Sequence, residues 1–300
     1  MSERLSTVQL GPQPGAVAEL LKPITWFPPM WAFGCGVISA GVPVVDHWHL
    51  VVLGVLLAGP LVCGASQAVN DWFDREVDAI NEPNRPIPSG RIPGQWGLGI
   101  AIFWSLLSAL VAYSLGPVVF AAGLVGLALA WAYSAPPFRL KLNGWWGNAA
   151  VGACYEGLPW ITGAAVMMGG AMPSVNILAL AGLYSFGAHG IMTLNDFKSI
   201  EGDRRLGIRS LPASLGADRA ARLACWVMAV PQLVVVGLLL WWSAIIAAAL
   251  VGLSLVIQLA LMARMVQRPR ELAPWYNATG VTLYVLGMMV SAVALRDMVS

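Results

Sequence analysis

Nine stretches of this chain, residues 24–43, 49–69, 96–114, 116–134, 147–168, 174–194, 220–241, 243–264 and 275–295, are dominated by apolar side chains and nearly free of charge. Each is close to the ~20 residues a helix needs to cross a bilayer's hydrocarbon core. In that medium no water satisfies backbone N–H and C=O groups, so a run of this kind forms a helix or does not cross. Composition agrees: 58% of the 300 residues are hydrophobic and 11% charged, against about 25% charged in soluble domains. The expected fold is an all-α polytopic membrane protein of nine transmembrane helices, forming one domain over residues 1–300.

The basic residues give this expectation a direction. Of the 17 Lys and Arg, Arg4 and Lys22 precede the first run. Arg75, Arg85 and Arg91 lie in the 70–95 connection, and Arg139 and Lys141 in 135–146. Lys198, Arg204, Arg205, Arg209, Arg219 and Arg222 cluster in 195–222, and Arg264, Arg268 and Arg270 in 264–274. With nine crossings and a cytoplasmic N-terminus, all of these fall on the cytoplasmic face and only Arg296 falls opposite, as the positive-inside rule requires. Residues 1–22 are then a cytoplasmic tail, without the apolar core and cleavage site of a signal peptide. The lipid bilayer is the first expected partner. A net charge of +2 leaves no electrostatic footprint for nucleic acid. Cys35, Cys63, Cys154 and Cys225 stand singly in apolar runs, which argues against zinc, iron–sulfur or covalent haem sites.

Against this background the stretch VNDWFDREVDAINEPNRPIPSGRI, residues 69–92, is anomalous for its acidity. NDWFDREVD at 70–78 is echoed by NDFKSIEGD at 195–203, and NRPIPSG at 84–90 by IRSLPASLG at 208–216. The 125-residue offset spans four runs. An even number returns both copies to the same face, so the repeat is parallel and its two acidic segments can face one cavity open to the cytoplasm. Inverted transporter repeats need an odd number.

If the first segment extends its helix, Asp71, Asp74 and Asp78 fall at i, i+3 and i+7 on one face. Close carboxylates repel one another unless a cation joins them. Oxygen ligands without His or Cys suit Mg²⁺ or Ca²⁺, and Mg²⁺ completes its shell with water and phosphate oxygens. Asn195, Asp196, Glu201 and Asp203 would form the opposing wall. Arg85, Arg91, Arg139, Lys141 and Lys198 stand near enough in sequence to grip a diphosphate. The reading is Mg²⁺ held by Asp71, Asp74, Asp78, Asp196, Glu201 and Asp203, with Asn70 and Asn195 orienting the metal shell or the diphosphate.

The motifs NDxxDxxxD at 70–78, NRPIPSGRI at 84–92 and YSxxPxRxK at 133–141 resemble those of UbiA-type intramembrane prenyltransferases. LKPITWFPPMWAF, YSAPPFRLKLNGWWGN and NDFKSIEGDRRLGIRSLP extend the likeness along nearly the whole chain, toward the chlorophyll and bacteriochlorophyll synthase branch. The resemblance implies nine helices, two Asp-rich motifs, Mg²⁺, and transfer of a C20 prenyl group from geranylgeranyl or phytyl diphosphate to the propionate of bacteriochlorophyllide or chlorophyllide. The alternatives are another UbiA-type acceptor, a quinone or a haem. Lys141 joins the aspartates as a catalytic candidate, and Tyr133 is expected at the junction of head group and tail. Ser199 stands where the second motif often carries Asp, which implies a second site with one carboxylate fewer.

Glu156 and His189 are polar residues inside apolar runs, where such residues mark function; both are candidates for pigment contact. Two rival classes fit the pattern less well. A cation-coupled transporter would place its ionisable residues at mid-membrane in both repeats, whereas here they gather at one edge. A non-catalytic pigment-binding protein would need several membrane-embedded His, and only His189 lies in a run. Under the prenyltransferase reading, association with itself or with pigment-assembly proteins is a further expectation.

Overall fold

The computed structural model describes residues 11–299; Arg4 and the rest of 1–10 lie outside the described residues. The fold is helical throughout. A short α1 (Pro14–Leu20) precedes α2 (Phe27–Ser39). Next, α3 (Trp48–Leu56), a π-helical segment Leu57–Cys63 and α4 (Gly64–Asn81) run on as one rod. Then follow α5 (Trp96–Ser114), α6 (Pro117–Ser134), α7 (Gly144–Gly152), a second π segment Ala153–Gly157, α8 (Leu158–Met167) and α9 (Val175–Asn195). The short α10 (Ile200–Leu206) and α11 (Leu211–Leu215) lead to α12 (Ala217–Trp241), α13 (Ile245–Met265) and α14 (Pro269–Val299).

Among the described residues seven helices are long and apolar enough to cross a membrane: Val45–Asn81, Trp96–Ser114, Pro117–Ser134, Val175–Leu206, Ala217–Trp241, Ile245–Met265 and Pro269–Met298. These coincide with seven of the nine expected spans. The other two are helical without meeting that standard. The run 24–43 yields only the 13-residue α2, and 147–168 is divided among α7, the π segment and α8. Both sit inside the bundle. α2 packs along α8 through glycines: a Cβ on Gly36 would stand 2.0 Å from the Trp160 carbonyl oxygen, and one on Gly163 2.1 Å from that of Phe33. Close approach over small residues is how helices associate where lipid offers no hydrophobic drive.

Local sequence explains the element ends. Asn143 caps α7, accepting from the Trp145 and Trp146 amides at 3.0 and 3.2 Å. Ser174 caps α9. Pro117 opens α6 at a position where its missing N–H is not needed. The bundle's outer face carries exposed Trp241, Ile246, Leu106 and Leu110, a lipid-facing pattern. Inside, Gln232 and Gln258 exchange amide hydrogen bonds of 3.1 and 2.9 Å between α12 and α13.

The two ends of the bundle differ. At one, the tight turns at Gly116 and Gly170 touch, and the Val118 amide donates to the Gly170 carbonyl at 3.3 Å. At the other, the long polar connections converge. There the Arg209 amide donates to the Leu142 carbonyl, and the Gly144 amide to the Arg209 carbonyl, both at 2.9 Å. A Cβ on Gly144 would lie 2.5 Å from the Leu211 nitrogen, so only glycine permits this crossing.

Candidate active site

Two cavities open at the polar end and share Asn70 and Tyr133 in their linings. The polar one, about 510 Å³, is faced by Asp74, Asp78, Arg139, Lys141, Asn148 and, from the second motif, Asp196, Ser199 and Asp203. The apolar one, about 430 Å³, runs among Ala58, Val62, Gly126, Leu129 and Val151, with Thr25, Tyr155 and Asn195 also on its walls. Both π segments border it. A π turn is a local bulge in an otherwise regular helix, a feature that recurs at functional sites.

α4 carries the first motif beyond the apolar run as a continuous helix to Asn81, as the i, i+3, i+7 spacing anticipates. Its three aspartates nevertheless have different surroundings. Asp74 accepts a 2.5 Å bond from Lys141 Nζ. Asp78 accepts one of 2.8 Å from Arg85 Nη1. Asp71, 2% exposed, lines neither cavity; its Oδ1 accepts from Lys22 Nζ at 2.6 Å and from Arg85 at 3.4 Å, while its Oδ2 is buried with no partner. Burial pulls the Lys141 ammonium below the usual lysine range, against the hydrogen bond and charge of Asp74. Burial acts the same way on Arg85, but Asp71 and Asp78 outweigh it and raise its pKa.

The second motif is solvated by neutral groups. Asp203 Oδ2 accepts from Ser210 Oγ at 2.6 Å and from Ser199 Oγ at 3.1 Å. Asp196 Oδ2 accepts from Asn148 Nδ2 at 3.4 Å. Asn195 Oδ1 accepts from Asn277 Nδ2 at 2.7 Å, and across the site Asn70 Nδ2 donates to Ser134 Oγ at 3.1 Å.

Several residues expected at the site stand elsewhere. Arg91 is held by Glu19 of α1, at 2.5 and 2.9 Å, and by the Asn84 carbonyl; its hydrogen bond holds the Glu19 carboxyl below its ordinary pKa. Glu201 is exposed and pairs with Arg270 and Arg204 at 3.4 and 3.7 Å, because two residues along a helix from Asp203 is the opposite face. Lys198 is exposed and lines neither cavity. Glu156 lies in the second π segment and His189 in α9, 5% and 4% exposed. The His189 ring lies 4.7 Å from that of Trp145, and neither Glu156 nor His189 lines either of these two cavities. Lys22, Asn148, Ser210 and Asn277 take part here without having been expected to. Lys22, Asn148 and Ser210 fall inside the motifs LKPITWFPPMWAF, YSAPPFRLKLNGWWGN and NDFKSIEGDRRLGIRSLP, and Asn148 and Asn277 are amides inside apolar runs, the signal that could have found them.

Mg²⁺ fits the polar cavity's chemistry, since its acidic walls offer oxygen donors and neither His nor Cys. Among the described residues no three His, Cys, Asp or Glu side chains come close enough to hold an ion unaided. One or two carboxylates per ion, completed by water and phosphate oxygens, is the usual magnesium arrangement.

The helical bundle and its acidic end define a class that comparison with known proteins makes explicit. The pattern of the UbiA prenyltransferase family matches residues 26–294; the chain belongs to that family and is a prenyltransferase. It is 58% identical over 287 residues, 96% of this chain and 95% of the relative, to the bacteriochlorophyll synthase 33 kDa chain of Cereibacter sphaeroides. It is 39% identical over 296 residues to the chloroplastic chlorophyll synthase of Arabidopsis thaliana, covering 92% of this chain and 73% of the relative. Among solved structures, a UbiA homologue from Archaeoglobus fulgidus bound to GPP and Mg²⁺ superposes with a TM-score of 0.71 at 20% identity, over 90% of this chain and 99% of that one. That likeness establishes the fold.

Proposed function

We propose that the protein esterifies the propionate of bacteriochlorophyllide with a C20 prenyl group, geranylgeranyl or phytyl, taken from its diphosphate with Mg²⁺. The observation that carries this reading is the near-full-length likeness to bacteriochlorophyll synthases, which exceeds that to the chlorophyll synthases. The paired cavities support it: a charged head fits the polar chamber, a hydrocarbon tail fits the apolar one, and the bond to be broken falls where they meet at Asn70 and Tyr133.

In this reading Asp74, Asp78, Asp196 and Asp203 hold Mg²⁺, directly or through water, and the ion supplies charge compensation for the departing diphosphate. Lys141 and Arg139 donate to phosphate oxygens as negative charge develops on them. The prenyl C1–O bond breaks, the allylic cation is shielded from water by the apolar cavity, and a propionate oxygen bonds to C1. The acceptor carboxylate, with a reference pKa near 4 by analogy with Asp and Glu, is already ionised at neutral pH, so no general base is required. Asp71, Lys22 and Arg85 act behind this wall, fixing α4 against α1 and the 82–95 connection. Nine crossings, a parallel repeat and a cytoplasmic active site complete the proposal for a bacterial inner-membrane protein.

Purified protein incubated with bacteriochlorophyllide or chlorophyllide, with each C20 diphosphate and with or without Mg²⁺, then separated by chromatography, tests the reaction. Ester formed only with Mg²⁺, and faster with bacteriochlorophyllide, is the expected result; no ester with either pigment would refute it. For topology, cysteines at the exposed positions Ser89 and Gly207 should label from the cytoplasm and those at Asp46 and Met172 from the other side. Labelling of positions 207 and 172 from one side would refute nine crossings.

A further inference from the structure

We propose that Asn277, on the C-terminal helix, is a positioning residue for prenyl transfer: it holds Asn195 so that the Asn195 amide nitrogen donates to the ester oxygen that joins the prenyl chain to its diphosphate. This rests on the prenyl-transfer reading above. Asn277 lies outside both Asp-rich motifs. Its Nδ2 donates to Asn195 Oδ1 at 2.7 Å, and Asn195 Nδ2 approaches Met192 Sδ at 3.6 Å. With Asn277 donating, Asn195 presents its oxygen to the C-terminal helix and turns its nitrogen toward Met192. Beyond the weak sulfur contact the nitrogen is left free for a ligand; Asn195 lines the apolar chamber together with Asn70, which lines both, so the oxygen within its range is the one at the junction where the prenyl chain begins.

Asn277 maintains this at a cost to itself. Its own Oδ1 is buried without a partner, and an unpaired buried carbonyl destabilises a fold. An apolar residue would serve better there if packing were all that mattered. The matching residue of the first motif is held the other way. Asn70 commits its nitrogen to Ser134 and leaves Oδ1 free. The repeat thus offers an acceptor from one wall and a donor from the other. A cation takes the first and an anion the second, which is the pairing a metal-bound diphosphate presents.

The test measures binding of geranylgeranyl diphosphate with Mg²⁺ by calorimetry, steady-state kinetics with bacteriochlorophyllide, and thermal unfolding. Asn277→Leu should weaken donor binding about tenfold, the scale of one lost hydrogen bond to a charged group, and leave KM for the pigment unchanged. In an Asn195→Ala background the same change should add nothing. Asn277→Asp cannot donate, so Asn195 must turn its amide over; it should lose donor affinity similarly while keeping the fold, and it carries the test if the leucine variant does not fold. Unchanged donor affinity in the folded variants, or losses that add in full to those of Asn195→Ala, would overturn the proposal. Wild-type protein that binds the diphosphate but makes no pigment ester would refute the acceptor assignment alone; failure to bind the diphosphate would refute both.

Discussion

The two Asp-rich motifs are alike in sequence and unlike in electrostatics. In the first, three carboxylates meet three cations: Lys22 pairs with Asp71, Lys141 with Asp74 and Arg85 with Asp78. In the second, Asp196 and Asp203 lean on an asparagine and two serines, which stabilise a carboxylate without cancelling its charge. One wall of the polar cavity is close to neutral and the other keeps a net negative charge. A cation entering the cavity is drawn to the second wall, and an anion finds Lys141 and Arg139 on the first side. The repeat supplies the scaffold twice, and the residues around it give each copy a different task.

The largest test of that difference is Asp203→Asn. No cation is released to compensate, so kcat/KM should fall about a thousandfold, in the range for losing a transition-state electrostatic contact. Protein made in this form should still fold, and wild-type turnover at saturating Mg²⁺ would show that the second wall's charge is not used. Asp74→Asn should cost about a hundredfold, with part of the loss coming from the Lys141 ammonium left half-buried and unpaired. Asp74→Asn combined with Lys141→Gln should therefore lose less than the product of the single effects; strictly multiplicative losses would mean that the 2.5 Å pair is not energetically coupled.

Ser199→Asp makes the second wall resemble the first in sequence while adding charge beside Asp203. KM for the anionic pigment should rise about tenfold through like-charge repulsion, whereas Ser199→Ala, which removes a neutral donor lying 3.1 Å from both Asp203 Oδ2 and the Asp196 carbonyl, should change it little. An unchanged pigment KM in the aspartate variant would place the acceptor carboxylate away from this wall. The smallest effect concerns the edge of the first wall. Glu19 binds Arg91, and its lowered pKa means the pair contributes stability above the unfolded carboxyl's pKa and loses it as pH falls through the lower, folded value. Glu19→Gln should shift the melting temperature slightly at neutral pH and not at all in acid; a shift that persists in acid would assign the effect to packing instead of charge.

Sequence pattern carried the helical class and most helix limits, because a 3.6-residue helix that must satisfy its backbone in lipid leaves little choice of length. It carried the face bearing Asp74 and Asp78 for the same geometric reason. It failed where partners come from distant segments. Asp71 belongs by spacing to that face, yet Lys22, 49 residues away, turns it into a buried strut. Arg91, basic and close to the motif, is taken by Glu19, 72 residues away. The runs 24–43 and 147–168 read as ordinary spans. Their glycines, which let α2 and α8 touch, signalled close packing without saying which helix would be the partner.

The meeting of a polar and an apolar chamber at Asn70 and Tyr133 also bears on traffic. The acceptor arrives with a carboxylate and leaves as a neutral ester with a twenty-carbon tail. What the charged chamber attracts before the reaction it has no hold on afterwards. The released diphosphate goes the opposite way, toward water. A single change in partition coefficient, produced by the reaction itself, therefore sends the two products to different phases: the pigment into lipid and the diphosphate into solution, with no moving gate needed to sort them.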